Sequence, residues 1–259
     1  MDAHTALTFV LVQQYLTPLL PRSTLSHLDA HFRLATTVLQ ESVSGPLRHW
    51  PEKIRVVPNG QRLAPAKIQP EVLESVYDAL LQGLCLKVDY CPRTTGERRH
   101  YDVNPLGIVL RNSVTYLVCT LWNYDDIKLL ALHRMRMAKT TDRPVSVPAH
   151  FRIDEYIQSG AFGFPGDEKP IRKIRLKALF DADAARHLYE CSISDDQKLT
   201  ERGDGRILLE ATVLNTGELQ WWLQGFGDLV EVVAPKRLRQ SFAESALRQA
   251  RLYHSGVDA

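Results

Sequence analysis

The sequence predicts an α+β protein built from successive parts: an N-terminal helical region, a compact strand-rich region fed by a helix, and a C-terminal α+β sandwich. Three observations carry this. Apolar residues recur at helical spacing up to about residue 45 and again from Pro70. Four strand-like runs between 84 and 138 are separated by turn formers. From Ile171 onward, strand and helix patterns alternate. At 259 residues the chain is long enough for two or three small cores.

The first helix ends near Pro18 and Pro21, and the second starts at Ser23 as N-cap, with Leu28, Phe32, Ala35 and Leu39 on one face. The two are expected to form a hairpin. Residues from Gly45 to Lys67 hold Pro46, Pro51, Pro58, Gly60 and Pro65, which marks a connector, with IRVVP as a short strand inside it. Pro70 suits a helix first turn, Val72, Leu73, Val76, Ala79 and Leu80 make its stripe, and Gly83 ends it. Strands follow at about 84–91, 99–110, 114–122 and 127–138, and a segment from Val145 to Phe151 is expected to complete the sheet.

After a short helix and a Gly/Pro-rich linker, the last part reads as strand (IRKIRLKAL), helix (ADAARHLYE), a strand pair turning at Asp204-Gly205, helix (GELQWWLQGF), strand (LVEVVAP) and a helix from Pro235 to about Tyr253. The implied boundaries are 1–69, 70–150, 151–170 and 171–259. Leu219, Trp222, Leu223 and Phe226 share one helix face, which turns Trp221 away as an interface residue or places it under the last helix.

Charge is nearly balanced, with 32 basic and 30 acidic side chains, so any polyanion must meet a local patch. Cys85, Cys91, Cys119 and Cys191 form no CxxC pair, consistent with reduced thiols in the cytoplasm. Gln13 and Gln14 interrupt the apolar opening, which reads as an amphipathic helix and not a signal peptide or membrane span. His27 and His31 stand four apart, but HExxH is missing because Leu28 follows His27, so no metal site is expected. Gly225-Phe226-Gly227 precedes a strand, unlike a dinucleotide loop, and there is no Walker A pattern or nucleophile elbow. No cofactor or enzymatic role is expected.

The stretch Pro105–Ala138 is the most informative. Pro105-Leu106-Gly107-Ile108-Val109, Thr115-Tyr116-Leu117 and Leu132-His133-Arg134-Met135 resemble the WYL domain of bacterial transcription regulators, with Thr115 in place of the family Trp and Lys128 where the closing strand has an upstream Arg. The run ELQWWLQGFGDLVEVVAPKRLR resembles the WCX extension that follows such domains. The resemblance implies an Sm-like small β-barrel, a homodimer packing the C-terminal domain on a partner's barrel, and a winged helix-turn-helix as the duplex DNA reader, for which residues 1–70 supply no pattern.

Strand alternation through 127–138 puts Ile127, Leu129, Ala131, His133, Met135 and Met137 on one side and Lys128, Leu130, Leu132, Arg134 and Arg136 on the other. The mostly apolar first set is expected to face a core. Tyr90, Arg98, Arg99, Arg111, Ser113 and Tyr116 lie at neighbouring strand ends. Guanidinium groups grip phosphate through paired N–H bonds, and Tyr stacks on bases. Without the resemblance, the arginines also read as solvated strand charges, and His133 reads more readily as a hydrogen-bonded core residue than as a ligand. With the resemblance, Tyr90, Arg99, Arg111, Ser113, Tyr116, Lys128, His133, Arg134 and Arg136 become the expected lining of a site for a nucleotide or short single-stranded nucleic acid. The expected role is effector sensing in a transcription regulator. The alternatives are a stand-alone single-strand-binding accessory protein and, further off, a nuclease or nucleotide hydrolase.

Overall fold

The computed structural model describes residues 1–42, 46–57, 60–61, 63–93, 95–164 and 171–254. They fall into two compact units, Met1–Phe151 and Arg152–Ala259. Gly45 and Pro58 of the expected connector and Pro165–Pro170 of the expected linker lie outside the described residues.

In the first unit, α1 (Ala3–Leu16) is capped by Asp2, whose Oδ1 accepts from the N–H groups of His4 and Thr5 at 3.0 Å. Helix α2 (Arg22–Thr37) starts one residue before the expected cap, because Pro21 already holds the extended N-cap conformation. The two form the expected hairpin around Ala6, Ala35 and Leu39. The short α3 (Trp50–Lys53) follows, and the Tyr15 hydroxyl donates to the Ile54 carbonyl at 2.7 Å. The strand expected at IRVVP does not form. Val56 and Val57 are 71% and 66% exposed and have no neighbouring strand among the described residues, and β propensity without a pairing partner builds nothing.

Helix α4 (Pro70–Gln82) ends at Gly83, whose φ of +66° suits a residue without Cβ. Its stripe Val72, Val76 and Ala79 packs into the core of an antiparallel sheet: β1 (Leu84–Tyr90), β2 (Arg99–Arg111), β3 (Val114–Leu121), β4 (Lys128–Ala131) and β5 (Met135–Pro144), in the order β4-β3-β2-β1-β5. Leu86, Val88, Val103, Leu117 and Cys119 fill the inner face.

Three expectations fail here. The run 127–138 is not one strand: Leu132–Arg134 make a 3₁₀ turn, and β5 then pairs with β1 at the opposite edge from β4. A 3₁₀ turn has a period of three, so Leu132 and Met135, 0% and 1% exposed, both reach the core. An uninterrupted strand would send them to opposite faces. Since β5 extends to Pro144, it takes the place expected for residues 145–151, which form no strand. Among the described residues no ladder joins β4 to β5, so the sheet is open and not a closed barrel.

The second unit contains α5 (Ile153–Gln158), β6 (Lys173–Phe180), α6 (Ala182–Glu190), β7 (Lys198–Glu201), β8 (Ile207–Leu214), α7 (Gly217–Gln224), β9 (Val230–Ala234) and α8 (Lys236–His254), with the antiparallel order β7-β8-β6-β9. Ile207, Leu209, Ala211 and Val213 alternate inward along β8 and meet Leu219 and Leu223 of α7. The expected hairpin turns at Gly205, with φ of +81°, where Arg202 N–H donates to the Arg206 carbonyl at 2.8 Å. No helix of the described residues is long and apolar enough to cross a membrane.

Candidate functional site

The 3₁₀ turn at Leu132–Arg134 is where cationic side chains become available. Leu132 and Met135 anchor it in the core. The Tyr90 hydroxyl accepts from Ala131 N–H at 3.2 Å, and the Arg134 carbonyl accepts from Cys91 N–H at 3.1 Å. Tyr90 is therefore a core side chain, 5% exposed, that supports the turn from beneath.

Between the anchors, His133 and Arg134 are half-buried. The His133 Nδ1 is buried with no hydrogen-bond partner among the described residues, and burial, followed by the neighbouring Arg134 charge, holds the imidazole pKa below its usual value. The Arg134 side chain makes no hydrogen bond or ion pair among the described residues. The ladder then skips a residue: Tyr90 pairs with Met135 and Asp89 with Met137, leaving the exposed Arg136 as a β-bulge. The face assignment from strand alternation is thus corrected. Leu130, Leu132 and Met135 face the core, and Arg134 and Arg136 are neighbours across a turn and a bulge, not along one strand face.

The register places the remaining expected residues at graded distances. Tyr116 is half-buried and sits directly opposite Ala131, next to the turn. Arg99 pairs with Tyr90 on the side away from Met135, is exposed, and lies 3.9 Å from Glu97. Ser113 belongs to the β2–β3 turn and donates to the Leu63 carbonyl at 3.2 Å, with Arg111 half-buried beside it. Lys128 sits at the far end of β4, about 10 Å from Ala131 by strand rise, with Nζ 2.5 Å from Asp126. The turn therefore gathers His133, Arg134, Arg136, Tyr116 and, from below, Tyr90, while Lys128, Arg111 and Ser113 stand apart.

A second recess was missed from sequence. Lys87, Asp89, His100, Tyr101, Asp102, Trp122 and Met137 line a cleft of about 380 Å³. Asp89 is 2% exposed, and its carboxyl is held below the ordinary range first by a hydrogen bond from Arg98. The readable signal was alternation: Lys87 and Asp89, and His100 and Asp102, occupy every second position of their strands. In the second unit, Trp221 is 57% exposed and leans on Phe164, ring centres 4.9 Å apart. His31 stacks on Phe9 at 5.5 Å. Cys85 and Cys119 are buried, and burial pushes the Cys119 thiol up to about 12.

Comparison with known families agrees with these two units. Residues 71–140 match the WYL domain and residues 172–250 match the WCX domain. The chain belongs to the WYL-domain proteins that carry a WCX domain. Among solved structures it is similar to proteasome accessory factor B/C of Arthrobacter aurescens, at 20% identity and a TM-score of 0.33, over 71% of this chain and 28% of that one. It is also similar to a CRISPR Cas-related protein, at 11% identity and a TM-score of 0.43, over 73% of this chain and 52% of that one. The chain thus spans about a quarter and about half of those two proteins. No curated protein matches it.

Proposed function

We propose that this chain is the effector-sensing part of a transcription regulator, binding a nucleotide or short single-stranded nucleic acid at the Leu132–Arg134 turn. The observation that carries the reading is Arg134: a half-buried guanidinium with five N–H donors and no acceptor from the described residues. Phosphate supplies paired acceptors in the geometry of the fork. Arg136 adds charge beside it, and Tyr116 offers a ring or hydroxyl to the sugar or base. His133, kept neutral, avoids a second buried charge while retaining a nitrogen for hydrogen bonding. The role is binding, not turnover, in keeping with the regulator type that WYL and WCX domains mark. Binding acts by shifting populations between conformations.

The test compares Arg134→Ala and Arg134→Lys with the parent for affinity toward one short oligonucleotide and for melting temperature. The alanine variant should lose about 1.5–3 kcal/mol of binding, the scale of a charge-assisted hydrogen bond. Lysine should restore part of it, since a point charge lacks the fork. Unchanged affinity with a large loss of stability would make Arg134 a structural residue.

Transmission through a homodimer completes the reading. Its support is the exposed Trp221–Phe164 pair, since large exposed aromatics are enriched at interfaces. Sedimentation at micromolar concentration should give a dimer that Trp221→Asp dissociates, and a parent sedimenting only as a monomer would remove this part.

A further inference from the structure

The outer face of β1 and β2 holds a recess whose chemistry differs from that of the Arg134 turn. Lys87 pairs across the ladder with Asp102, Asp89 pairs with His100, and Met137 of β5 lies opposite Asp89 on the other side. These side chains share the face turned away from Leu86 and Val88, and with Tyr101 and Trp122 they enclose the cleft of about 380 Å³.

Two features show a built site. The Asp89 carboxylate is 2% exposed, and among the described residues its Oδ1 meets only the exposed ring of His100, in an ion-pair contact. Arg98 donates to Oδ2, and His100 Nδ1 pairs with Oδ1. A carboxylate oxygen has two acceptor positions, so a ligand that displaces the His100 ring finds acceptor capacity at Oδ1. The His100 side chain is 77% exposed, so its ring can swing aside without disturbing the core.

The second feature is Trp122. Its φ of +51° is rare for a bulky residue, and the conformation is held by Trp122 N–H donating to the Asp102 carbonyl at 2.7 Å and by Asn104 Nδ2 donating to the Trp122 carbonyl at 2.9 Å. The indole is 43% exposed, edge-on to Tyr101 at 5.3 Å and to Tyr124 at 6.1 Å. A flat apolar surface is thereby fixed in the lining of the cleft that also holds Asp89.

Charge selects between the ligands such a pair attracts. Asp89 faces Arg98, and Asp102 faces Lys87 across the ladder and Arg143 at 4.0 Å, so acidic groups are not in excess. A cation gains little there, whereas a neutral planar heterocycle with adjacent N–H donors gains both stacking and hydrogen bonds.

We propose that this cleft is a nucleobase site selective for guanine, with the base on Trp122 and its N1–H and exocyclic N–H donating to Asp89. Each carboxylate oxygen has two acceptor positions, so Oδ2 keeps Arg98 while receiving a second donor. The proposal deepens the nucleotide reading, resting on it only for the phosphate: Arg136 is the bulge residue immediately before Met137 of the cleft, so a guanine nucleotide seated here carries its phosphate toward the arginines.

Calorimetric titration with nucleosides tests the base site apart from the phosphate site. Guanosine should bind the parent, with inosine, which lacks the exocyclic amine, and adenosine each weaker by roughly tenfold, the loss of a charge-assisted donor. Trp122→Ala, an exposed position, and Asp89→Asn should each weaken guanosine by a similar factor. If Asp89→Asn does not fold, the inosine comparison with the parent and Trp122→Ala decide. Equal affinity for guanosine and adenosine, no guanosine binding at millimolar concentration, unaltered binding by Trp122→Ala, or tighter binding of tetramethylammonium than of guanosine would overturn the proposal. Guanosine and guanosine monophosphate binding equally, with Arg134→Ala without effect on either, would remove the phosphate reading and support the base site alone.

Discussion

Replacing Asn104 with alanine probes the polar clasp that sets the sheet's outer rim. Asn104 is 2% exposed and uses both ends of its amide. Nδ2 donates to Thr120 Oγ1 at 3.1 Å and to the Trp122 carbonyl at 2.9 Å, while Oδ1 accepts from Ser146 N–H at 3.1 Å and from the Cys85 thiol at 3.1 Å. One side chain thus joins β1, β2, β3 and the segment after β5. Thr120 is also 2% exposed and its hydroxyl can rotate, and the thiol is a weak donor, so the main losses are the two backbone partners. At about 1 kcal/mol for each of those bonds and roughly 1 kcal/mol more for the vacated volume and Thr120, Asn104→Ala should cost about 3 kcal/mol.

Hydrogen exchange of the β2–β3 amides reads this loss in the first unit alone. Asn104→Asp gives a second measure. Its buried carboxyl would face the Trp122 carbonyl, raising its folded pKa above the unfolded value. Stability should then be greatest below the unfolded pKa and fall as pH rises through the folded one. Exchange free energies within about 1 kcal/mol of the parent for Asn104→Ala would show that solvent replaces the clasp and that the bonds do not hold the rim.

Gly217→Ala should destabilise the second unit by about 1–3 kcal/mol, because the added Cβ would stand 2.7 Å from the Phe164 carbonyl oxygen, which already accepts from Gly217 N–H at 3.0 Å. An unaltered melting temperature would mean the Phe164 segment yields freely. Asp196 is bonded by Thr212 Oγ1 at 2.6 Å, Thr212 N–H at 2.8 Å and Ser194 Oγ at 2.7 Å, and these bonds, led by the Thr212 hydroxyl, depress its pKa. A depressed folded pKa gives stability that is full above the unfolded value near 4 and lost as pH falls below it. Asp196→Asn should flatten that acid limb in pH-dependent urea titrations, and an unchanged limb would refute the assignment.

Repeating patterns carried most of the fold into the sequence. The stripe of α4, the alternation along β8 and the Asp204-Gly205 turn each depend on residues only a few positions apart, so local spacing suffices to find them. The turn at 132–134 was hidden for the same reason. Leu130 and Leu132 continue a strand alternation, while the period-three pair Leu132 and Met135 that ends it becomes visible only when β5 leaves for β1. Likewise, the alternating charges of β1 and β2 were visible, but only the register sets Asp89 against His100 and Lys87 against Asp102 beside Trp122.

The candidate sites lie where those patterns fail, and this has a physical cause. Inside a ladder, backbone groups satisfy one another and side-chain direction follows from parity. At a 3₁₀ turn, a bulge or a residue at positive φ, side chains escape that parity and donors or acceptors are left for other partners. Arg134 on the turn, Arg136 on the bulge and Trp122 at φ +51° are such departures. The LHRM motif identifies Arg134 by resemblance and Arg136 follows directly after the motif, but the lack of an acceptor for Arg134 among the described residues is a property of how β4, β5 and Tyr90 meet, and that meeting is encoded by contacts between distant parts of the chain.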